Sequence, residues 1–342
     1  MSRKPNIHEE TGFDPEKFMF RGLLPFVRMG TASDRYSGWL GQIYTRDLYE
    51  GRITKRTNRV GGKSFIEEVL PVDSVKEYFT HFDVLEVDYT FYSLLLNKDE
   101  EAAQRYRPAN NYHVLRKYRE YMNAADGVIL KAPQAITSRR LYRSGEFVEN
   151  EDYLNPQIFT KQFYEPAVSV LGPLLKGIIF EQEYHRKKDR SKAEQVASDL
   201  EAFFSSIPKD KRYHLELRTE AYLTEAVFEV MKHHQVGQVL SYWTWLPRLL
   251  KQFAKAGNVF IHPKECIIRL ITPIGMRYED AYMQAHPFDK RIEGMMQPDM
   301  IAETTALMRK AIEKGVEVTV IVNNRAGGNA PLIAREIVHQ FR

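Results

Sequence analysis

Two acidic residues interrupt VLEVDYTFYSLL, residues 84–95, an apolar stretch that is otherwise typical of a buried strand. Alternation along a strand places Leu85 and Val87 on one face and Glu86 and Asp88 on the other. A buried charge is costly unless it is paired, so two acids on an inner face indicate an ion network or a functional site. The chemistry that such carboxylates support is proton transfer, because different surroundings give them different pKa values.

Other predicted strands carry the same pattern, with polar residues late in the strand and opposite the apolar set. In YHLELR, residues 213–218, Glu216 and Arg218 alternate with Leu215 and Leu217. If these strand ends meet, the shared mouth contains Glu86, Asp88, Lys131, Glu181, Glu216, Arg218, Arg269 and Asn323. Internal pairing accounts for any one of these charges, but so many at one mouth favour a ligand, since ion networks rarely stabilise a core.

The elements that must position these residues alternate regularly between strand and helix. Eight predicted strands are each followed by a helical pattern. Such alternation indicates an α/β protein with parallel strands, and eight units predict a (β/α)8 TIM barrel with enlarged βα loops. The alternative is an open doubly wound sheet, which is weakened because no G-x-G-x-x-G follows the first strand. We expect one barrel domain over residues 25–342, an N-terminal extension over 1–24, and long loops near 32–70 and 134–158.

The loops at the predicted mouth are basic and contain aromatic residues. YTRDLYEGRITKRTNRVGGK, TSRRLYR and HRKKDRSK follow strands one, three and four. Three basic loops on one rim indicate an anionic substrate or a nucleic acid. The last turn, NNRAGGNAP, supplies Gly327 and Gly328 before a helix N-terminus, where backbone amides bind phosphate. Trp39, Tyr92, Trp243 and Trp245 are candidates for stacking on a base or a sugar ring, although lids and core plugs are the commoner role.

Composition excludes several classes of protein. The chain has 342 residues, a net charge of +4 and one cysteine, Cys266. A single cysteine excludes an internal disulfide framework and a cysteine-rich zinc site, and indicates a cytoplasmic setting. Neither a signal peptide nor an apolar run long enough to span a membrane is evident. No metal-binding spacing and no organic cofactor motif occurs, so the cofactor is unknown, and a divalent metal stays open as an alternative because carboxylates are ligands.

The strand ends also match a known family. The chain resembles the YecE-like family, TIM-barrel proteins of unknown function, through Gly30-Thr31 with Gly38-Trp39, EVDYTFY from Glu86 to Tyr92, and Lys131-Ala132-Pro133. The match continues in Glu216-Leu217-Arg218, Arg269-Leu270 and Asn323-Asn324. It differs in Asp88, where the family has Asn, in Glu181, where it has Gln, and in Tyr222, where it has Trp. The resemblance implies a site at the barrel mouth and adds Thr31 and Asn324 to the residues expected there.

Two functions follow as hypotheses. The first is a hydrolase, lyase or isomerase that acts on a phosphate-bearing substrate, and an enzyme is the favoured alternative. Its catalytic residues would be Glu86, Glu216, Lys131 and Glu181, with Glu86 and Glu216 exchanging protons. The remaining residues would bind substrate: Thr31, Trp39, Asp88, Tyr92, Arg218, Trp243, Arg269, Asn323, Asn324, Gly327 and Gly328. The second is a non-catalytic protein that binds nucleic acid or another polyanion on the basic rim. A glycosidase ranks below both, because the acids occur on strands two, four and five alone.

Overall fold

Eight parallel strands close into a barrel in a computed structural model that describes residues 14–99, 105–143 and 145–342. The closed barrel confirms the predicted fold class. Each strand pairs with its neighbours in chain order, and the first strand closes the ring against the last. The barrel strands are β1 Val27–Ala32, β2 Val84–Val87, β3 Gly127–Lys131, β4 Leu175–Glu181, β5 Tyr213–Glu216, β6 Gly237–Tyr242, β7 Glu265–Leu270 and β8 Glu317–Val322.

A helix follows each strand and covers the outside of the barrel. These helices are α1 Val75–His81, α2 Asn110–Glu120, α3 Glu165–Leu171, α4 Ala193–Ser206, α5 Glu225–His233, α6 Leu249–Lys255, α7 Pro298–Glu313 and α8 Ala330–Phe341. Their apolar faces pack on the outward side chains of the strands and form the main hydrophobic core. Alternation therefore sends the other half of each strand's side chains into the barrel.

Two layers of side chains fill the barrel interior next to the mouth. A lower, apolar layer contains Ala32, Val84, Ile129, Ile179, Val239, Ile267 and Ile321. The next inward positions toward the carboxyl ends of the strands are charged or polar, beginning with Glu86, Lys131 and Glu181. Glycine makes room where strands approach closely, since a Cβ on Gly30 would lie 2.1 Å from the carbonyl oxygen of Val84. The apolar layer closes the barrel beneath the charged one, which therefore faces the mouth.

The two long loops contain secondary structure of their own. The loop after β1 includes a short helix, Arg46–Tyr49, and an antiparallel hairpin of Thr54–Val60 with Lys63–Val69. The loop after β3 includes a second hairpin, Arg140–Arg143 with Glu146–Glu149. Residues 14–24, predicted as part of an extension, pack on the barrel through Phe20, whose ring lies 5.0 Å from that of Phe82. Residues 1–13 lie outside the described residues. None of the helices in the described ranges has the length and apolarity needed to cross a membrane.

Candidate active site

Arg269 of β7 is the centre of the charged layer. Its Nε and Nη2 atoms donate to the two carboxylate oxygens of Glu86 at 2.7 and 2.6 Å. Its Nη1 atom donates to Glu216 and also to Glu181, the latter at 3.3 Å. All three acids are almost completely buried. One guanidinium therefore joins carboxylates from three other strands, and a bidentate pair of this kind is strong and directional.

Lys131 and Arg218 complete the network on either side. The Nζ atom of Lys131 lies 2.8 Å from Asp88 and 2.9 Å from Glu181. Arg218 contacts Glu181 at 2.9 Å, and its guanidinium lies 4.8 Å from the centre of the Trp243 ring. The structure thus brings together all seven charged residues that the sequence placed at the mouth. Ser241, which the sequence did not single out, donates to Glu216 at 2.6 Å.

The environment gives different pKa values to Glu86, which belongs to β2, and to Asp88, which lies in the turn after that strand. Burial raises the pKa of Glu86 to about 7, against the lowering effect of Arg269. Partial burial would raise the pKa of Asp88, but the ammonium of Lys131 and the guanidinium of Arg269 hold that pKa below the usual range. Glu86 therefore holds a proton more readily than Asp88 does. Two carboxylates with divergent pKa values are the usual basis for assigning acid and base roles.

Lys131 is held as an ammonium ion. Desolvation lowers its pKa, but Asp88 and Glu181 outweigh that effect and raise the pKa above its ordinary value. A lysine that forms a Schiff base requires a depressed pKa, so this residue is suited to charge stabilisation and not to nucleophilic attack. The raised pKa therefore favours a charged Lys131 over a nucleophilic one.

A cleft of about 940 Å³ opens over Glu86 and Asp88. The hairpin after β1 forms one wall, and the N-terminus of α2 and the segment around Tyr278 form others. Glu86 contributes to the floor but is itself 0% exposed, whereas the side chain of Asp88 is 25% exposed. A ligand in the cleft would therefore meet Asp88 first and reach Glu86 past it.

Two arginines in this cleft were missed by sequence reasoning. Arg325 stacks on Tyr278, with 4.1 Å between the guanidinium carbon and the ring centre. Its Nε atom is buried without a hydrogen-bond partner, and no carboxylate within the described ranges forms an ion pair with it. Arg35 also lines the cleft and donates to the carbonyl of Leu70 at 3.4 Å. Arg325 could have been predicted from its position in the sequence, because it follows the end of β8 by three residues and so lies at the barrel mouth.

Three residues that were predicted to bind substrate lie outside the charged layer and form hydrogen bonds that hold loops and helices together: Thr31, Trp39 and Asn324. Thr31 faces outward, and its hydroxyl donates to the Tyr78 hydroxyl of α1 at 2.9 Å. Trp39 is fully buried, and its Nε1 atom donates to the side-chain oxygen of Asn324 at 3.1 Å. That same oxygen accepts the amide of Ala330 at 2.7 Å, which ties the last βα turn to the first loop.

The glycine turn before α8, where a phosphate contact was predicted, has its amides hydrogen-bonded within the chain. The amides of Gly327 and Gly328 both donate to the carbonyl of Asn324, at 3.3 and 2.6 Å. Asn329 caps the helix by accepting the amide of Leu332 at 2.9 Å. A phosphate would have to displace these bonds, because the amide donors that it needs are already occupied. The phosphate contact at this turn stays a prediction that these internal hydrogen bonds disfavour.

The remaining predicted residues lie around the cleft and the network. Tyr92 lines the cleft and is 67% exposed, which leaves its ring available to a ligand. Trp243 covers the guanidinium of Arg218 at the edge of the network. Asn323 is buried at the top of β8, where its side-chain oxygen accepts the amide of Arg325 at 3.0 Å and fixes the start of that turn.

The raised pKa of Glu86 predicts a pH-dependent difference in stability. A folded-state pKa of about 7 against an ordinary 4.5 means that the folded chain holds this proton more tightly than the unfolded chain. The resulting stabilisation is complete below the unfolded pKa and is lost as the pH rises through the folded pKa. We expect the free energy of unfolding of the wild type, relative to Glu86→Gln, to fall between these two values. Urea unfolding of both proteins between about pH 4.5 and pH 7 measures this difference in the free energy of unfolding. A difference that stays constant over this range would contradict the raised pKa of Glu86.

Fold and site together define a TIM-barrel protein with a charged mouth. The chain matches the family model described as "Protein of unknown function DUF72" over residues 28–342, and it belongs to that family, which confirms the resemblance to YecE-like proteins. A DUF72 protein of Enterococcus faecalis V583 is similar in structure, with a TM-score of 0.53 and 15% identity over 92% of this chain and 95% of that chain.

A second solved DUF72 protein, from Thermotoga maritima MSB8, is equally similar. Its TM-score is 0.53 at 16% identity, over 92% of this chain and 97% of that chain. Identities this low show the shared fold and nothing more about activity. No curated protein matches the chain.

Proposed function

We propose that the protein is an enzyme that binds an anionic, phosphate-bearing substrate in the mouth cleft and transfers a proton through Glu86. The observation that carries the proposal is the Arg325 guanidinium, which has no carboxylate partner among the described residues and shares the cleft with Glu86 and its raised pKa. A cation and a proton-transfer group in one cleft are the two parts that such a reaction requires.

A substrate anion would supply what Arg325 lacks. Removing a guanidinium N–H from water is costly unless a partner compensates, and stacking on Tyr278 leaves the buried Nε–H donor of Arg325 unsatisfied. The acid that acts on it electrostatically is Asp88, which is already paired with Lys131. A phosphate or carboxylate on the substrate would provide the missing acceptor, in the planar geometry that arginine favours.

In this proposal, some residues of the network take part in the reaction and the others hold those residues in position. Glu86 would donate or accept the proton, and Lys131 would stabilise negative charge that develops beside it. Glu181 and Glu216 hold Arg269, which in turn fixes both oxygens of Glu86. Proton transfer next to an anionic group is common to hydrolases, lyases and isomerases, so the proposal covers that range of reactions.

Replacing Arg325 tests the proposal with inorganic phosphate as the probe. We expect Arg325→Met to weaken phosphate binding by about tenfold or more, since a charge-assisted hydrogen bond contributes about 1.5–3 kcal/mol. Stability should be unchanged or higher, because the variant removes a partly buried cation that pairs with no carboxylate in the described ranges. Isothermal titration calorimetry measures the affinity, and a panel of phosphorylated small molecules identifies better ligands.

Arg248→Met is the matched control, because that arginine is 56% exposed and pairs with Asp299 on the outer surface. Equal phosphate affinity in wild type and Arg325→Met would contradict the proposal.

A second candidate function is polyanion binding without catalysis. The loop after β4 carries Arg186, Lys187 and Lys188, all exposed. Beside it Tyr184 stacks on Trp245, 5.2 Å between ring centres, and both rings are more than a third exposed. Exposed aromatic rings next to cations are features of single-strand nucleic-acid sites. Under this function, Lys187→Ala with Lys188→Ala would lower the salt dependence of binding to an oligonucleotide, and Glu86→Gln would leave it unchanged.

A further inference from the structure

A cluster of two histidines and one glutamate lies on the outer helices, away from the mouth. Glu201 belongs to α4, His233 is the last residue of α5, and His234 follows it. His234 precedes the first residue of β6, Gly237, by three positions. The cluster therefore lies near the amino ends of the barrel strands, opposite the cleft.

The ligand atoms of this cluster converge. The Nε2 atom of His234 lies 3.0 Å from an oxygen of Glu201, and the Nδ1 atom of His233 lies 3.4 Å from the same oxygen. The three ligand atoms all lie within 4.8 Å of one another, and no other such group occurs in the described part of the chain. Two ligands of a tetrahedral zinc ion are about 3.3 Å apart, given Zn–N and Zn–O distances of about 2.0–2.2 Å.

His234 supplies an independent sign of a missing ligand. Its side chain is only 3% exposed, its ring lies 5.9 Å from that of Phe204, and neither ring nitrogen has a hydrogen-bond partner among the described residues. The contact with Glu201 is close, but it lacks hydrogen-bond geometry. A buried imidazole whose nitrogens form no hydrogen bonds is costly, and a cation bound between its Nε2 lone pair and Glu201 would remove part of that cost.

We propose that Glu201, His233 and His234 bind a divalent zinc ion, with water as the fourth ligand. Two imidazoles and one carboxylate form a borderline ligand set that suits zinc better than calcium or magnesium, which prefer oxygen. The ion would join α4 to the end of α5, so zinc binding would stabilise the folded chain. The site is separate from the proposed reaction, and its test is independent of catalysis.

Calorimetric titration of the chelator-treated full-length protein with zinc chloride tests this site. We expect one zinc ion per chain and a rise in the melting temperature on binding. His233→Ala and Glu201→Gln change exposed side chains, 67% and 40% exposed, so both variants should fold. Each should weaken zinc binding by about tenfold or more, since even outer-shell partners of metal ligands contribute about 10–100-fold.

His339→Ala is the matched control, because His339 also pairs with a glutamate, Glu16 at 2.8 Å, but belongs to no three-ligand group in the described ranges. Its zinc affinity should equal that of the wild type. The proposal is overturned if the wild type shows no saturable zinc binding, or if His233→Ala and Glu201→Gln bind zinc as tightly as the wild type.

Discussion

Replacing Glu86 by Gln is expected to lower kcat by about 10²–10⁴, the usual contribution of a positioned acid or base. Gln keeps the size of the side chain and one acceptor for Arg269, but it cannot exchange a proton. The substrate for the assay is the phosphorylated compound of the panel that the protein turns over. The Michaelis constant should change little, because Glu86 lies below the part of the cleft where Arg325 would hold the anion.

The control for this variant is Glu229→Gln, an exposed glutamate on α5 that pairs with Lys232 at 2.8 Å. Circular dichroism of both variants checks that each is folded. The pH profile adds a second readout, since the wild-type rate should depend on a group with a pKa of about 7, and the residual rate of the variant should not. A Glu86→Gln variant with wild-type kcat would show that this carboxylate only balances charge.

The second large effect concerns stability. Arg269→Met should lower the free energy of unfolding by about 3–5 kcal/mol, because removing one partner of a buried ion pair leaves uncompensated charge. Here one substitution deprives three buried carboxylates of their common donor: Glu86, Glu181 and Glu216. The loss should shrink at acid pH, where the carboxylates take up protons and no longer require a cation.

Urea unfolding near neutral pH and at acid pH measures both parts of this expectation. Arg248→Met is again the control, since an exposed ion pair contributes at most about 1 kcal/mol. A loss in Arg269→Met no larger than that of the control would mean that the network contributes nothing to the fold.

The alternation of side chains made the charged layer predictable. Glu86, Glu216 and Arg269 each lie two residues beyond an inward position on a short strand, so a period of two places them on one face. Eight repeated strand–helix units then bring those faces together at the same end of a barrel. The pairing of Arg269 with three acids was not predictable, because it depends on rotamers and on distances across the barrel.

The cleft was harder to predict from the sequence than the charged layer beneath it. Its walls come from the hairpin of the first loop and from the segment around Tyr278, which are far apart in the chain. Neither has a periodic pattern that fixes its position. At the glycine turn, Gly327 and Gly328 suggested a phosphate site, and the hydrogen bonds of their amides to the Asn324 carbonyl were not evident from composition.

Two acids of the charged layer meet at one residue. Asp88 and Glu181 lie 2.8 and 2.9 Å from the Nζ atom of Lys131. They keep that lysine charged, and in doing so they leave Arg325 as a cation in the cleft without a carboxylate partner among the described residues. The two acids are therefore parts of a single electrostatic arrangement.

Binding of an anion in the cleft above Glu86 is tested most directly by a crystal structure determined with phosphate. We expect phosphate density against the guanidinium of Arg325, on the side of the cleft that faces Asp88. Density confined to the outer loop of Arg186, Lys187 and Lys188, with no anion in the cleft, would contradict the proposed function.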